Sequence, residues 1–172
     1  GRIDLHPSRC LAKMRKSKFY TDTVFGLERK SDPMKYSIFG DTYVVRLQKG
    51  EEVLTCLQEL CRKESISLGI VSAIGAVNHV SVGVYRVEEQ EYIAKTFDGV
   101  MELTSLLGNI TEKNGEPYLH LHATFGRLDG KVIGGHLTEA VVSATCELFI
   151  RKIDGYVGRR LDPETGLNIF DL

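Results

Sequence analysis

Three of the chain's five histidines, His120, His122 and His136, fall in one short stretch. The segment Tyr118-Leu119-His120-Leu121-His122-Ala123-Thr124-Phe125 alternates polar and apolar residues. On a strand, His120 and His122 share a face with Tyr118 and Thr124, and Leu119, Leu121, Ala123 and Phe125 take the other. Two imidazoles at i and i+2 on a stiff strand stand close enough to bind one cation. Whether His136 joins them depends on the turn at Leu128-Asp129-Gly130-Lys131. A two-residue loop of Asp129-Gly130 pairs His122 with Leu137 and turns His136 to the opposite face. A three-residue loop with Gly130 in the left-handed conformation pairs Arg127 with Lys131 and sets His136 directly across from His122. A bulge at Gly134-Gly135 could also restore the face. Three imidazoles with one coordination position open describe a zinc site with Zn–N near about 2.0–2.1 Å. The alternative is a polar strand face beside solvent, with His136 capping a turn.

Other residues with chemistry to offer are more scattered. Glu102, within Val100-Met101-Glu102-Leu103-Thr104, is a candidate general acid or base, or a partner that orients a histidine; the alternative is a solvent-facing strand position. Glu147 and Glu139 are similar carboxylates that could reach a metal face or sit in surface ion pairs. His79 alternates with Val80 and Val82, as a sheet-face or interface histidine does, and His6 has no comparable partners. Neither a phosphate-cradling G-x-x-x-x-G-K nor a G-x-G-x-x-G occurs, and a G-x-S-x-G nucleophile elbow is absent. Cys10, Cys56, Cys61 and Cys146 form no C-x-x-C pair. They read as free thiols suited to a reducing cytoplasm.

The elements that must position these groups fit one domain. The 172 residues carry a net charge of −1, 42% apolar and 26% charged residues, an ordinary globular composition. That balance removes whole-chain attraction to nucleic acid or to an anionic membrane as a default. No apolar run reaches the roughly 18 residues of a membrane helix. Charge is uneven, however: residues 1–33 are net +4 and residues 34–172 net −5. The first segment reads as a basic arm, either an extension or residues added to the natural chain, with Met34 a plausible natural start. Its cluster Lys13-Met14-Arg15-Lys16-Ser17-Lys18 could touch phosphate.

Beyond the arm, Tyr43–Leu47 is rich in strand formers. Gly50 opens an amphipathic helix with Glu51 and Glu52 in its first turn, Arg62 and Lys63 in its last, and an apolar stripe of Val53, Leu54, Leu57, Leu60 and Cys61. Strand-like runs follow at 68–74, 80–87, 92–97, 101–110, 118–125 and 141–150, the last of which could instead be a buried helix because its apolar run is continuous. Turn signals stand at Asn114-Gly115, Asp129-Gly130 and Asp154-Gly155. One helix and a series of hairpins predict an α+β fold with a largely antiparallel sheet.

From about Met34 onward the chain resembles the plants-and-prokaryotes-conserved (PPC) domain family in its single-domain prokaryotic form. The resemblance rests on Tyr43–Leu47, Gly50-Glu51-Glu52-Val53, Ser72–Val77, Met101-Glu102-Leu103, Leu119–Ala123, Asp129-Gly130-Lys131-Val132, Gly134-Gly135-His136-Leu137 and Thr145-Cys146-Glu147-Leu148. Its most specific part is H-x-H followed by G-G-H-L. The resemblance implies a homotrimer and a metal held by His120, His122 and His136. Plant relatives carry an AT-hook and act in the nucleus, which is why prokaryotic relatives are described as predicted DNA-binding proteins. This chain has no R-G-R-P core, so the minor-groove reader is missing. The same fold group includes acetolactate decarboxylase, whose zinc also sits on H-x-H and a later histidine. Two functions follow as expectations. One is a trimeric, zinc-binding cytoplasmic module with a regulatory, nucleic-acid-linked role. The other is a zinc-dependent lyase or hydrolase on a small carbonyl or carboxylate substrate, with Glu102 or Glu147 moving the proton.

Overall fold

In the computed structural model, which describes residues 34–172, strands carry most of the chain. The proposed basic arm, 1–33, and Cys10 lie outside the described residues. A hairpin of β1 (Lys35–Phe39) and β2 (Thr42–Gln48) is followed by α1 (Val53–Glu64). Four long strands come next: β3 (Gly69–Arg86), β4 (Glu91–Lys113), β5 (Glu116–Arg127) and β6 (Val132–Lys152). A second small hairpin, β7 (Gly158–Leu161) and β8 (Asn168–Asp171), ends the chain. The large sheet runs β1-β2-β6-β3-β4-β5, and β5 pairs again with the start of β6. Every pairing is antiparallel. The α+β class expected from the pattern is the one observed.

The helix forms on the predicted stripe but starts later. Glu51 and Glu52 are not in its first turn; Glu52 is the N-cap, its carboxylate accepting from the N–H groups of Leu54 at 3.0 Å and Thr55 at 2.7 Å. Glu51 turns away and accepts from the backbone N–H of Gln48 and of Met34, both at 2.7 Å. Arg62 and Lys63 do occupy the last turn. Isolated helices below about 12–15 residues are marginal in water, so this 12-residue helix depends on burying Val53, Cys56, Leu57, Leu60 and Cys61. These pack in one core with Val45 and Leu47 of β2, Leu106 and Ile110 of β4, Leu121 and Phe125 of β5, and Leu148 and Ile150 of β6. Cys56, Cys61 and Cys146 are buried free thiols, each pushed up to about 12 by burial.

Two boundaries differ from expectation for a common reason. The runs 68–74 and 80–87 are one strand, β3, and 92–97 with 101–110 are one strand, β4. Register shifts between Ala73 and Gly75 and between Val77 and His79 let β3 continue through a break in its apolar pattern. The run 141–150 is strand, not helix: Val142, Cys146, Leu148 and Ile150 point inward, while outward Phe149 is 55% exposed. The alternation is blurred because Val141 and Phe149 of the outward face are apolar too, with Ser143, Thr145 and Glu147 between them.

His79 stands on the outward side of β3, where Nδ1 is 2.6 Å from Asp98 of β4 and Nε2 is 3.5 Å from Glu139 of β6. The hydrogen bond to Asp98, aided by the charges of both carboxylates, raises its pKa above 6.5.

Two outcomes follow. Removing the cap with Glu52→Ala strips bonds from Leu54, Thr55 and Ala140, and should lower stability by about 1–2 kcal/mol in urea unfolding; a loss below about 0.5 kcal/mol would mean solvent replaces the cap. For His79 the folded pKa exceeds the unfolded one, so its contribution to stability is full below the unfolded value and disappears as pH rises through the folded value. An NMR titration should place its midpoint above 6.5 and Asp98→Asn should bring it down; identical midpoints in the two proteins would contradict this account.

Candidate metal centre

The three-residue form of the β5–β6 turn is the one the chain adopts. Leu128, Asp129 and Gly130 make the loop, the N–H of Arg127 donates to the carbonyl of Lys131 at 2.9 Å, and Gly130 has φ +78°. The Asp129 carboxylate accepts from the N–H of Lys131 at 3.2 Å, which holds its pKa below the usual range. From there the pairing runs Gly126↔Val132 to His122↔His136 with no irregularity. A bulge at Gly134-Gly135 is therefore not needed between these strands. Gly135 answers a different demand: at φ +155° it passes Gly83 of β3 so closely that a Cβ would lie 2.5 Å from the Gly83 carbonyl oxygen.

The register brings the three imidazoles together. Ring centroids are 5.2 Å apart for His120–His122, 5.3 Å for His120–His136 and 5.4 Å for His122–His136. One nitrogen from each lies within 4.8 Å of the others. His120 Nε2 and His122 Nε2 are 3.2 Å apart. With Zn–N near 2.0–2.1 Å, the edge of a ligand tetrahedron is about 3.3–3.4 Å, so that pair already has ligand spacing. Two facing Nε2 lone pairs repel unless a proton or a cation lies between them. Burial, then the neighbouring imidazole charges, lowers the pKa of His120 and of His136. Both are thus biased to the neutral form that a metal requires. The Tyr92 hydroxyl donates to the His136 carbonyl at 2.9 Å, and its ring meets the imidazole edge-on at 5.6 Å. This donor set fits a divalent metal that favours nitrogen ligands.

A cavity of about 690 Å³ opens beside the histidines. Tyr85, Tyr92, Tyr118 and Phe170 form much of its wall, and Arg159 reaches into it from β7. The β7–β8 hairpin is held there from two sides. Arg159 donates to Thr111 and Asn109 of β4 at 2.8 and 2.7 Å, and Tyr85 donates to the carbonyl of Thr165 at 2.8 Å. Sequence reasoning did not find Arg159 or this hairpin. Pro163 and Gly166, turn formers between two short segments, were the available signal.

The candidate acids are elsewhere. Glu102 is exposed opposite Gly126, which puts it roughly 13 Å along the sheet from His122 at about 3.3 Å per residue. Glu147 is exposed opposite Arg46 and Ile74, farther still along β6. Glu139 faces His79. The structure brings none of the three to the imidazoles, because the outward positions nearest them on β4 are Leu107 and Asn109. Among the described residues, no aspartate or glutamate lines the cavity.

Comparison with known proteins agrees with this architecture. Residues 34–154 match the family described as the Plants and Prokaryotes Conserved (PCC) domain. Among solved structures, a "putative dna binding protein" of Bacteroides thetaiotaomicron superimposes with a TM-score of 0.79 at 31% identity, over 81% of this chain and 98% of that one. A metal-containing protein of Archaeoglobus fulgidus does so with a TM-score of 0.74 at 32% identity, over 82% and 99%. A plant- and prokaryote-conserved protein of Pyrococcus horikoshii gives 0.73 at 35% identity, over 80% and 95%. No curated protein matches the sequence significantly. With the domain matched over most of the chain and relatives above 30% identity sharing its fold, this protein belongs to the Plants and Prokaryotes Conserved domain family.

Proposed function

We propose that the protein is a zinc-binding, homotrimeric module whose cavity beside the metal takes a small molecule, and that it serves a regulatory role linked to nucleic acid. The observation that carries the metal assignment is the meeting of His120, His122 and His136, with nitrogens within 4.8 Å of one another. The metal-containing Archaeoglobus relative supports it. Zinc, when bound, supplies Lewis acidity toward a carbonyl or carboxylate oxygen. Around it, this chain's Tyr92 fixes the backbone of His136, and the aromatic walls flank half-buried His120 and His136 while His122 stays exposed.

The nucleic-acid link rests on the name of the Bacteroides relative. Residues 34–172 carry a net charge of −5, so the basic segment 1–33 or a partner is the better contact with phosphate than the domain itself. The cytoplasm suits the three buried free thiols. No helix among the described residues is long and apolar enough to cross a membrane.

A homotrimer is supported by the outward face of the sheet. One cross-strand row runs Val44, Phe149, Ser72, Leu107, His122, His136. Beside it Ile70 and Ile74 are 44% and 60% exposed, and in it Leu107 is 61% exposed. Exposed apolar side chains grouped in this way are what a second copy of the chain would cover.

The second reading, a zinc-dependent lyase or hydrolase, is favoured by the open cavity. It lacks a carboxylate near the metal to move a proton, since Glu102 and Glu147 lie elsewhere. A catalyst here would have to draw on Tyr92, Tyr85 or Tyr118.

Metal analysis of protein purified without chelator should find about one zinc per chain, and His122→Ala should remove most of it; wild-type protein with essentially no metal would end this reading. Sedimentation should find a trimer, and Leu107→Glu combined with Phe149→Glu should yield monomers. A wild-type monomer at high micromolar concentration would refute the assembly.

A further inference from the structure

Arg159 is a cation without a counter-ion among the described residues. Its Nε donates to Thr111 Oγ1 at 2.8 Å, one terminal nitrogen to the Asn168 carbonyl at 3.0 Å, and the other to Asn109 Oδ1 at 2.7 Å. All three acceptors are neutral. The guanidinium is also stacked between rings, 4.7 Å from the centroid of Tyr118 and 4.3 Å from that of Phe170. Three of its five N–H groups are engaged. The remaining two, one on each terminal nitrogen, have no protein acceptor among the described residues. The neighbouring Arg160, by contrast, faces a carboxylate, that of Asp171, at 3.7 Å.

This cation lines the same cavity as the imidazoles, and among the described residues no acid lines it with them. Asn109, which holds Arg159, is the direct cross-strand partner of His120. Arg159 is thus tied to the histidines through a single residue, Asn109. The rest of the wall is apolar or aromatic: Tyr85, Tyr92, Tyr118, Leu167, Ile169 and Phe170. A guanidinium with its charge unmatched, its orientation fixed and its remaining donors free is prepared for a planar anion. Aromatic and aliphatic walls are prepared for an apolar body.

The geometry points to a small organic carboxylate with an apolar or aromatic body as the ligand of this cavity, its carboxylate held by Arg159 and its body between the tyrosines and Phe170. This rests on the cavity of the reading above and names its ligand class. Of that wall, Arg159, Leu167, Ile169 and Phe170 come from the C-terminal segment 158–170, and Tyr85, Tyr92 and Tyr118 from β3, β4 and β5. The C-terminal hairpin therefore supplies the cation of the cavity, while β3 to β6 supply the histidines and the tyrosines.

The test uses the full chain with 3-phenylpropanoate and its neutral amide as probes, in zinc-loaded and in chelator-treated protein. Calorimetry should find the carboxylate bound at least about tenfold more tightly than the amide in both forms, because a guanidinium–carboxylate pair survives loss of the metal. Arg159→Gln should bring the two probes to within about twofold of each other, and Arg159→Lys should restore part of the preference as a point charge. A merely structural Arg159 would change melting temperature in these variants without changing that ratio. In wild-type protein, the Arg159 Nε–H NMR signal should move with carboxylate and not with amide, which reads the contact even where a variant folds poorly. An unchanged preference in Arg159→Gln, no binding at millimolar probe, or a preference present only with zinc would overturn the proposal. Protein that takes up no zinc yet keeps the Arg159-dependent preference would overturn the metal reading and sustain this one.

Discussion

One hydrogen-bonded register decides whether this protein has a site. Side chains on a strand alternate with a period of two, so a slip of one residue between β5 and β6 would send His136 into the core and leave His120 and His122 as a lone pair. The slip is prevented at two places. Gly130 takes the left-handed position of a three-residue turn, which pairs Arg127 with Lys131. Gly135, against Gly83, then lets β6 run at once beside β5 and β3. A side chain at either glycine would strain the strand that carries His136.

The same alternation separates stability from chemistry. Leu121, Ala123 and Phe125 of β5 face α1 and the buried core, while His120, His122 and Thr124 face outward. Nothing in the core requires three imidazoles. Their grouping is unfavourable by itself: partial burial and mutual charge depress the pKa of two of them, and two Nε2 atoms confront each other at 3.2 Å. A fold that holds such an arrangement rigidly, on strands rather than loops, has what a cation needs already assembled, with little ordering cost left at the moment of binding.

The alternation Tyr118–Phe125 was legible because it is strict and local, and the pairing with His136 followed once the turn chemistry of Gly130 was considered. The α+β class was legible for the same reason: α1 has a full apolar stripe, and the hairpins carry their turn residues. What escaped were properties of long-range pairing. β3 and β4 hid their continuity because bulges at Ala73–Gly75 and Val77–His79 break the period-two pattern that marks a strand. The run 141–150 concealed its alternation because Val141 and Phe149 at its two ends face outward and are apolar too. Of the two readings open for Glu102, the solvent-facing strand position is the one observed, because the period of two gives Met101 and Leu103 to the core and turns Glu102 outward. Arg159 was invisible for a deeper reason. Its importance comes from β7 meeting β4, between residues far apart in sequence, and no local pattern reports where a C-terminal hairpin will dock.

That docking reverses the local electrostatics. The described domain is net −5, yet the cavity it encloses presents one guanidinium and three imidazoles and no carboxylate. An extended polyanion such as a duplex is repelled by the acidic exterior before it meets these groups, and a cavity of about 690 Å³ admits nothing of its width. A small anion faces no such barrier: at short range the desolvated positive interior outweighs a distant, screened surface charge. The excess of negative charge outside and the unmatched cation inside thus act together as a filter on size. Under the reading proposed above, the species that reaches the histidines is small, and it meets a cation from β7 beside imidazoles from β5 and β6.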